Sequence, residues 1–315
     1  MGEEKLSNED YNNSNKISLN YCKNIIYLFR PFTLLLPLIV SFFVMAASMI
    51  YNNINFYANS WLTMLFAGLI LMIVNAGSNA INQAADWKSD CISKPYRPIP
   101  KGIIKVEDAH SLAFILFLTS LIGAIKINLI FSVLIFTIII FSVTYSMPPR
   151  MKRYLFINQV WISVARGLLG ILAAWSVFGN PFTTTPLVIG LIAMFFLIGG
   201  IASKDIIDIE ADKKTGVKTL MNTVGAKKTA FVCFPFLIIP FISIPFLIST
   251  GVLELYFWPL TFMIIPSFII YRSMKETTKN SYFENTSAWS FMYVEYIFFA
   301  LGFSLCTLIS SNIFG

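Results

Sequence analysis

Residues 61–90, WLTMLFAGLILMIVNAGSNAINQAADWKSD, contain an apolar run that passes directly into three polar residues, Asn82, Asp86 and Asp90. The apolar part is long enough to cross a bilayer, which takes about 20 residues of helix. If the helix continues beyond it, the i, i+4, i+8 spacing places the three polar side chains on one face, along about 12 Å. This stretch therefore predicts a membrane-spanning helix that ends in a stripe of oxygen ligands.

The composition of the whole chain predicts a membrane protein. Hydrophobic residues make up 57% of the 315 residues and charged residues only 12%, whereas soluble domains have about 25% charged residues. No loop is long enough for a soluble domain, so we expect an all-α, polytopic membrane bundle of nine transmembrane helices. The predicted spans lie near 32–51, 61–81, 109–125, 128–146, 156–179, 184–203, 229–249, 253–272 and 290–311.

Domain organisation follows from the same pattern. Residues 1–24 are charged and rich in Asn, without the apolar segment of a signal peptide, so we interpret them as a disordered cytoplasmic tail. Residues 25–315 are then a single transmembrane domain. Four cysteines without paired spacing and a single histidine, His110, indicate neither a disulfide framework nor a histidine-built metal site.

The basic residues predict the orientation. With nine spans, 21 of the 23 Lys and Arg fall on one side, and the exceptions are Lys126 on the other side and Arg166 within a span. The positive-inside rule places the basic side in the cytoplasm. We therefore expect an integral protein of the plasma membrane or an equivalent membrane, with its functional face on the cytoplasmic side. Nucleic acid is not an expected partner, because the basic residues are divided among short loops.

A second acidic cluster, Asp205, Asp208 and Asp212, follows the sixth span on the same side. Its i, i+3, i+7 spacing also predicts a one-faced helical stripe, so the two stripes can face each other across a pocket mouth. Carboxylate and amide oxygens suit Mg²⁺, which binds one or two carboxylates while phosphate oxygens and waters complete its shell. Together the clusters indicate a metal-bound diphosphate. For either cluster alone, the alternative is a set of solvated interfacial acids paired with nearby lysines.

The loops after both clusters carry residues that favour phosphate. Residues 94–102, KPYRPIPKG, form a proline-stiffened loop that holds Arg97, a planar bidentate phosphate donor, between Lys94 and Lys101. Residues 213–219, KKTGVKT, add three lysines after the second cluster. For these lysines the alternative is anchoring at the membrane surface.

These motifs resemble the intramembrane UbiA-type prenyltransferases. The first family signature stands here as Asn82 to Asp90 followed by Lys94 to Gly102, and the second as Asp205 to Asp212 followed by Gly216 to Leu220. A third, Tyr-Ser-x-Pro-Pro with trailing basic residues, appears as Tyr145 to Arg153. One departure is Ala211, where many members have Gly before the final Asp.

The resemblance implies a nine-helix bundle and a Mg²⁺-dependent transfer of a prenyl group from a polyprenyl diphosphate to a lipophilic acceptor in contact with membrane lipid. It implies two Mg²⁺ ions, one bound by Asn82, Asp86 and Asp90 and the other by Asp208 and Asp212. The implied catalytic residues are Asp86, Asp90, Asp208, Asp212 and Tyr145. The implied diphosphate ligands are Asn82, Lys94, Arg97, Lys101, Arg150, Lys152, Lys204 and Asp205.

The acceptor stays open between two classes. The Tyr-Ser-x-Pro-Pro element resembles that of members that prenylate aromatic acceptors, and this resemblance favours an aromatic, quinone-type acceptor. The Arg-Pro-Ile-Pro loop and the Lys204-Asp205 start are similar to archaeal members, so the alternative is geranylgeranyl transfer to a glyceryl-phosphate lipid in ether-lipid synthesis. A small-molecule transporter is the non-enzyme alternative, although transporters place ion ligands near the bilayer midplane. Arg166 and Glu295 lie inside predicted spans, where charge is costly, and are further candidates for the site.

Overall fold

The computed structural model describes residues 21–275 and 286–313, and this part of the chain contains helices and no strands. Nine of its helices are long and apolar enough to cross a membrane. They are α1 (Pro31–Tyr51), α2 (Ala58–Ser93), α3 (Val106–Ile125), α4 (Leu129–Ser146), α5 (Ile157–Trp175), α6 (Thr184–Ile206), α7 (Ala226–Ser249), α8 (Leu255–Lys275) and α9 (Ser287–Ile313).

The nine helices form a closed ring. Each helix packs against the next one in the chain, and α9 packs against α1, which joins the two ends of the bundle. The outer surface carries exposed apolar side chains such as Leu62, Leu118 and Phe231, as expected where the protein contacts lipid rather than water. The ring encloses the space in which the polar residues meet.

Helix α2 is longer than the bilayer needs. Its 36 residues correspond to about 54 Å of helix, against a hydrocarbon thickness of about 30 Å. The extra turns carry Asp86 and Asp90 at its C-terminal end. The predicted span 61–81 is therefore confirmed as part of a longer helix, and the expected continuation through Asp90 is present.

Two other helices deviate from regular α geometry near the enclosed space. Helix α5 contains a π-helical segment, Val164–Leu169, and α6 ends in a 3₁₀ segment, Ala202–Ile206. Two short helices, Ile209–Thr215 and Leu220–Val224, follow α6 before α7 begins. Such π-helical insertions often occur at functional sites.

The all-α bundle and the nine predicted spans are confirmed, with boundaries shifted by a few residues outside α2. Residues 21–29 are helical, and Gln83 on α2 donates a hydrogen bond to the backbone oxygen of Leu28 at 2.7 Å. The predicted tail, residues 1–24, otherwise lies outside the described residues and stays a prediction there.

Candidate active site

A cavity of about 660 Å³ opens at the end of the ring where α2, α4 and α6 end. Its mouth is lined by both acidic clusters and by basic side chains. Its interior is lined by apolar side chains, among them Leu36, Val40, Leu71, Val74 and Ile138. The cavity therefore combines a charged entrance with an apolar interior, within the size range of ligand sites, about 300–1,000 Å³.

The first acidic cluster lies on one continuous helix and is paired with cations. Asp86 accepts a hydrogen bond from Arg150 Nη2 at 2.8 Å and forms an ion pair with Lys152. Asn82 Nδ2 donates to the other carboxylate oxygen of Asp86 at 3.1 Å. Asp90, which is buried, accepts from Arg97 Nη1 at 2.8 Å. The predicted stripe on α2 is present, and each of its carboxylates has a basic partner.

The second acidic cluster is not one helical stripe. Asp205 lies in the 3₁₀ segment that ends α6, Asp208 precedes the short helix Ile209–Thr215, and Asp212 lies within that helix. The expectation of a continuous α-helix over these three residues was therefore wrong. All three nevertheless line the cavity, because the chain turns over its mouth.

Lys94 joins the two clusters. Its Nζ lies 3.9 Å from Asp90 Oδ1 and forms a hydrogen-bonded ion pair with Asp208. The side chain is almost fully buried. Because one ammonium group contacts carboxylates from both clusters, the two clusters lie at the same end of the bundle, as the predicted topology requires.

Burial and neighbouring charge change the ionisation of the mouth. The pKa of Lys152 is lowered to about 7, first by burial and then by the charge of Lys204, and burial also lowers the pKa of Arg150. Asp212 has its pKa raised to about 7, by burial and then by the charges of Asp205 and Asp208. Burial alone would raise the pKa of Asp208, but the charge and hydrogen bond of Lys94 lower it overall.

Tyr145 lies beside the second cluster. Lys204 Nζ donates to the Tyr145 hydroxyl at 2.5 Å and lies 4.9 Å from the centre of the ring. Asn158 on α5 donates to Asp205 Oδ2 at 3.5 Å. These contacts bring α4, α5 and α6 together at the mouth, and Tyr145 and Lys204 both line the cavity.

Some predicted residues lie elsewhere. Lys101 is exposed and does not line the cavity, because the loop buries Arg97 and Ile99 and then turns outward at Gly102, which has a φ of 70°. Its assignment as a diphosphate ligand stays a prediction that the cavity lining does not support. Glu295 is buried outside the cavity, where Ser267 donates to it at 2.6 Å.

Further polar residues line the cavity beyond the two acidic clusters. Asn75 and Asn79 line the cavity on α2, at helical spacing before Asn82, so the polar stripe begins deeper in the membrane than predicted. Arg166, left open between a site role and a structural role, also lines the cavity. Asn158, Tyr293 and Tyr296 had no pattern that distinguished them from ordinary membrane-helix residues.

The donors at the mouth fit Mg²⁺ shared with a phosphate ligand. Among the described residues, no three acidic, His or Cys side chains form a ready-made metal cage. Mg²⁺ does not need one, since it binds proteins through one or two carboxylates and takes its remaining ligands from substrate phosphates and water. Asp86 with Asp90 and Asp208 with Asp212 supply such pairs.

A nine-helix membrane bundle with two acidic clusters at one mouth defines a narrow class of protein. Residues 40–301 match the UbiA prenyltransferase family, and the chain belongs to this family. It is an integral membrane protein.

Several curated relatives are similar over part of the chain. Digeranylgeranylglyceryl phosphate synthase of Sulfurisphaera tokodaii is 28% identical over 58% of this chain and 66% of its own length. The protein of the same name from Methanobrevibacter smithii is 29% identical over 56% of this chain and 63% of its own length. The 2-acyl-4-prenylphloroglucinol 6-prenyltransferase of Humulus lupulus is 29% identical over 68% of this chain and 54% of its own length. The chain thus spans less than two thirds of the length of these relatives.

A solved structure shows the same fold. The UbiA homologue from Archaeoglobus fulgidus bound to DMAPP and Mg²⁺ superimposes with a TM-score of 0.68 at 19% identity, covering 92% of this chain and 99% of the other. The ring of nine helices is therefore the fold of the family.

Proposed function

We propose that this protein transfers a prenyl group from a prenyl diphosphate to a lipophilic acceptor with the help of Mg²⁺. The observation that carries the proposal is the meeting of both acidic clusters, joined by Lys94, at the charged mouth of one apolar cavity. The charged mouth would hold the diphosphate, and the apolar interior would hold the prenyl chain. The DMAPP and Mg²⁺ of the Archaeoglobus homologue support this assignment.

We infer two metal positions at the mouth. Asn82, Asp86 and Asp90 would hold one Mg²⁺, and Asp208 and Asp212 the other, with Asp205 supporting the second cluster. Bound Mg²⁺ would neutralise the negative charge that develops on the leaving diphosphate.

The basic residues of the mouth orient the diphosphate. Arg97, Arg150, Lys94 and Lys152 are paired with the carboxylates that would hold Mg²⁺. With those carboxylates engaged by Mg²⁺, these cations would turn their N–H groups to phosphate oxygens, and arginine would do so bidentately. The same residues would thus balance the acidic clusters and bind the diphosphate.

The reaction breaks the bond between the allylic carbon and the diphosphate oxygen, and the electron pair stays with the diphosphate. Positive charge develops on the allylic carbon, and we assign the ring of Tyr145 to stabilise it, because aromatic faces attract cations. An oxygen or carbon of the acceptor then bonds to the allylic carbon and loses its proton. The apolar interior excludes the water that would otherwise intercept this carbon.

The relatives favour a glyceryl-phosphate lipid as acceptor. Both archaeal relatives described above are named digeranylgeranylglyceryl phosphate synthase, so we propose geranylgeranyl transfer to such a lipid ahead of the aromatic acceptor that the Tyr-Ser-x-Pro-Pro element favours. The aromatic class stays the second candidate, and the name of the Humulus lupulus relative supports it.

We also propose that the mouth faces the cytoplasm, because the basic loops lie at that end of the bundle. Cysteines introduced at Lys88 and Lys126 should test this. A membrane-impermeant maleimide added to intact cells should label the second position and not the first, and the reverse pattern would invert the orientation.

Purified protein should be supplied with a radiolabelled prenyl diphosphate, Mg²⁺ or a chelator, and a panel of glyceryl-phosphate and aromatic acceptors. We expect Mg²⁺-dependent release of diphosphate and a prenylated product whose mass identifies the acceptor. Absence of product with every acceptor, together with transport of a small molecule into vesicles, would favour the transporter alternative.

A further inference from the structure

Arg166 lies at the middle of α5, inside a membrane-spanning helix and on the wall of the cavity. Its guanidinium donates to two neutral groups, from Nη2 to Asn75 Oδ1 at 2.9 Å and from Nη1 to Tyr293 OH at 3.2 Å. No carboxylate forms an ion pair with it within residues 21–275 and 286–313. A charge at this depth is costly, so its counter-charge is expected to come from a ligand.

The surroundings hold this guanidinium in place. Asn75 Nδ2 donates to the backbone oxygen of Thr33 at 2.9 Å, which turns Asn75 Oδ1 toward Arg166. Tyr296 OH donates to the backbone oxygen of Arg166 at 2.9 Å, within the π-helical segment. Three helices, α1, α2 and α9, thus fix one arginine on α5. Of the five N–H donors of its side chain, these side-chain contacts use two, and the residue lines the cavity.

Along α2 this position lies deeper than the first acidic cluster, while the charge of Arg166 still acts on Tyr145 and Lys204 beside the second cluster. Asn75, which contacts Arg166, and Asp86 are eleven residues apart on the same straight helix, which corresponds to about 16 Å along α2. A diphosphate held by Asp86 and Arg97 therefore does not reach the Asn75 contact. The acceptor must lie between, because its reacting atom has to meet the allylic carbon next to the diphosphate.

We propose that Arg166 binds an oxyanion carried by the acceptor, a phosphate monoester or a carboxylate. This inference rests on the proposed prenyl transfer and adds to it a second anion site in the same cavity. The arginine would hold the acceptor's charged group inside the bundle, away from the negative diphosphate. The reacting atom of the acceptor would then be directed to the allylic carbon.

The test compares acceptors that differ only in this group. A glyceryl ether lipid with its phosphate is compared with the same lipid as the free alcohol, and an aromatic acid with its methyl ester. The wild-type protein should use the anionic member of the productive pair with a kcat/KM about 10- to 100-fold higher, as expected for charge-assisted hydrogen bonds. The pair that reacts identifies whether the oxyanion is a lipid phosphate or a carboxylate.

The variants Arg166→Gln and Arg166→Lys separate the role of the charge from a structural role. Arg166→Gln should raise the acceptor KM and remove the preference for the anionic acceptor, while the KM for the prenyl diphosphate changes less than about 3-fold. Arg166→Lys keeps a point charge without the planar fork, so its preference should be intermediate. Glu295→Gln is the matched control, since it replaces an intramembrane acidic side chain outside the cavity and should preserve the preference.

An equal loss with anionic and neutral acceptors, or a rise in the KM for the prenyl diphosphate alone, would overturn the proposal. If Arg166→Gln does not accumulate in membranes, the wild-type protein is compared with Arg166→Lys instead. An unchanged preference for the anionic acceptor in Arg166→Lys would then contradict the proposed oxyanion site. Failure of the wild-type protein to prenylate any acceptor would instead contradict the proposed function.

Discussion

The two acidic clusters serve one cavity but are built differently. Asp86 and Asp90 lie on the unbroken helix α2, and each has two basic neighbours. In the second cluster the chain changes from a 3₁₀ segment to a short helix, and Asp208 is paired with Lys94. Within residues 21–275 and 286–313, Asp212 forms no ion pair.

The two clusters therefore differ in how rigidly they are held and in how the charges of their carboxylates are balanced. The first cluster is preorganised by helix geometry, and its two carboxylates face four basic side chains. The second is held by tertiary contacts, and burial together with the charges of Asp205 and Asp208 raises the pKa of Asp212 to about 7. We therefore infer that the second cluster depends more strongly on bound metal for its stability, although both are needed for the reaction.

The largest expected effect is on turnover. Asp86→Ala and Asp208→Ala should each reduce diphosphate release by at least about 10³-fold, since each removes a ligand that stabilises the leaving group. Initial rates at saturating Mg²⁺ measure this. Full turnover in either variant would show that its cluster is not part of the metal site.

The next effect concerns the link between the clusters. Lys94→Met should destabilise the metal-free protein by about 3 kcal/mol, because it leaves the buried carboxylates Asp90 and Asp208 without their shared cation. Thermal unfolding in detergent measures the change. Mg²⁺ should raise the melting temperature of this variant more than that of the wild type, and an equal rise in both would contradict the shared role of Lys94.

A smaller effect is expected in the proline-stiffened loop. Arg97→Lys should lower kcat/KM for the prenyl diphosphate by about 10- to 30-fold, because lysine cannot form the bidentate contact. Lys101→Ala, in the same loop but exposed and outside the cavity, is the control and should change it less than 2-fold. Similar losses in both variants would return Lys101 to the diphosphate site.

The smallest expected effect is a gain in the stability of the protein rather than a loss of stability or activity. Folding raises the pKa of Asp212 from an ordinary value near 3.8 to about 7, so the folded metal-free protein loses stability as the pH rises from 4 to 7. Asp212→Asn should therefore stabilise the metal-free protein at pH 8 and lose the stabilisation by Mg²⁺. Melting temperatures at pH 5 and 8 check this, because the gain should be smaller at pH 5.

The sequence predicted the first cluster better than the second for a physical reason. On α2 the polar spacing and the helix agree, so Asn82, Asp86 and Asp90 fall on one face as expected. The spacing of Asp205, Asp208 and Asp212 fits an α-helix equally well. In the structure, however, the chain changes from a 3₁₀ segment to a short helix within this cluster. Residues of other helices contact this region, since Tyr145 is bonded to Lys204 and Asn158 to Asp205, and such contacts leave no periodic pattern in the sequence.

The loops and the deep part of the cavity show the same limit of prediction from sequence patterns. Lys101 was expected at the diphosphate site together with Arg97. The backbone N–H of Lys101 donates to the backbone oxygen of Arg97 at 3.1 Å, yet the Arg97 side chain is buried and that of Lys101 is exposed. Arg166 was visible as a charge within a span, whereas its neutral partners Asn75 and Tyr293 come from other helices and meet it only through tertiary contacts. Patterns thus predict the helices and the ligand class, and packing decides which side chains meet.

The most direct test of the account is a count of the metal ions that the two clusters hold around one diphosphate. Mn²⁺, which suits the same oxygen ligands, can be titrated into the purified protein with a non-hydrolysable prenyl diphosphate analogue and followed by electron paramagnetic resonance. We predict two coupled Mn²⁺ ions per protein, and one uncoupled ion in both Asp86→Ala and Asp208→Ala. A single ion in the wild-type protein, or two coupled ions in either variant, would contradict a site shared by both clusters.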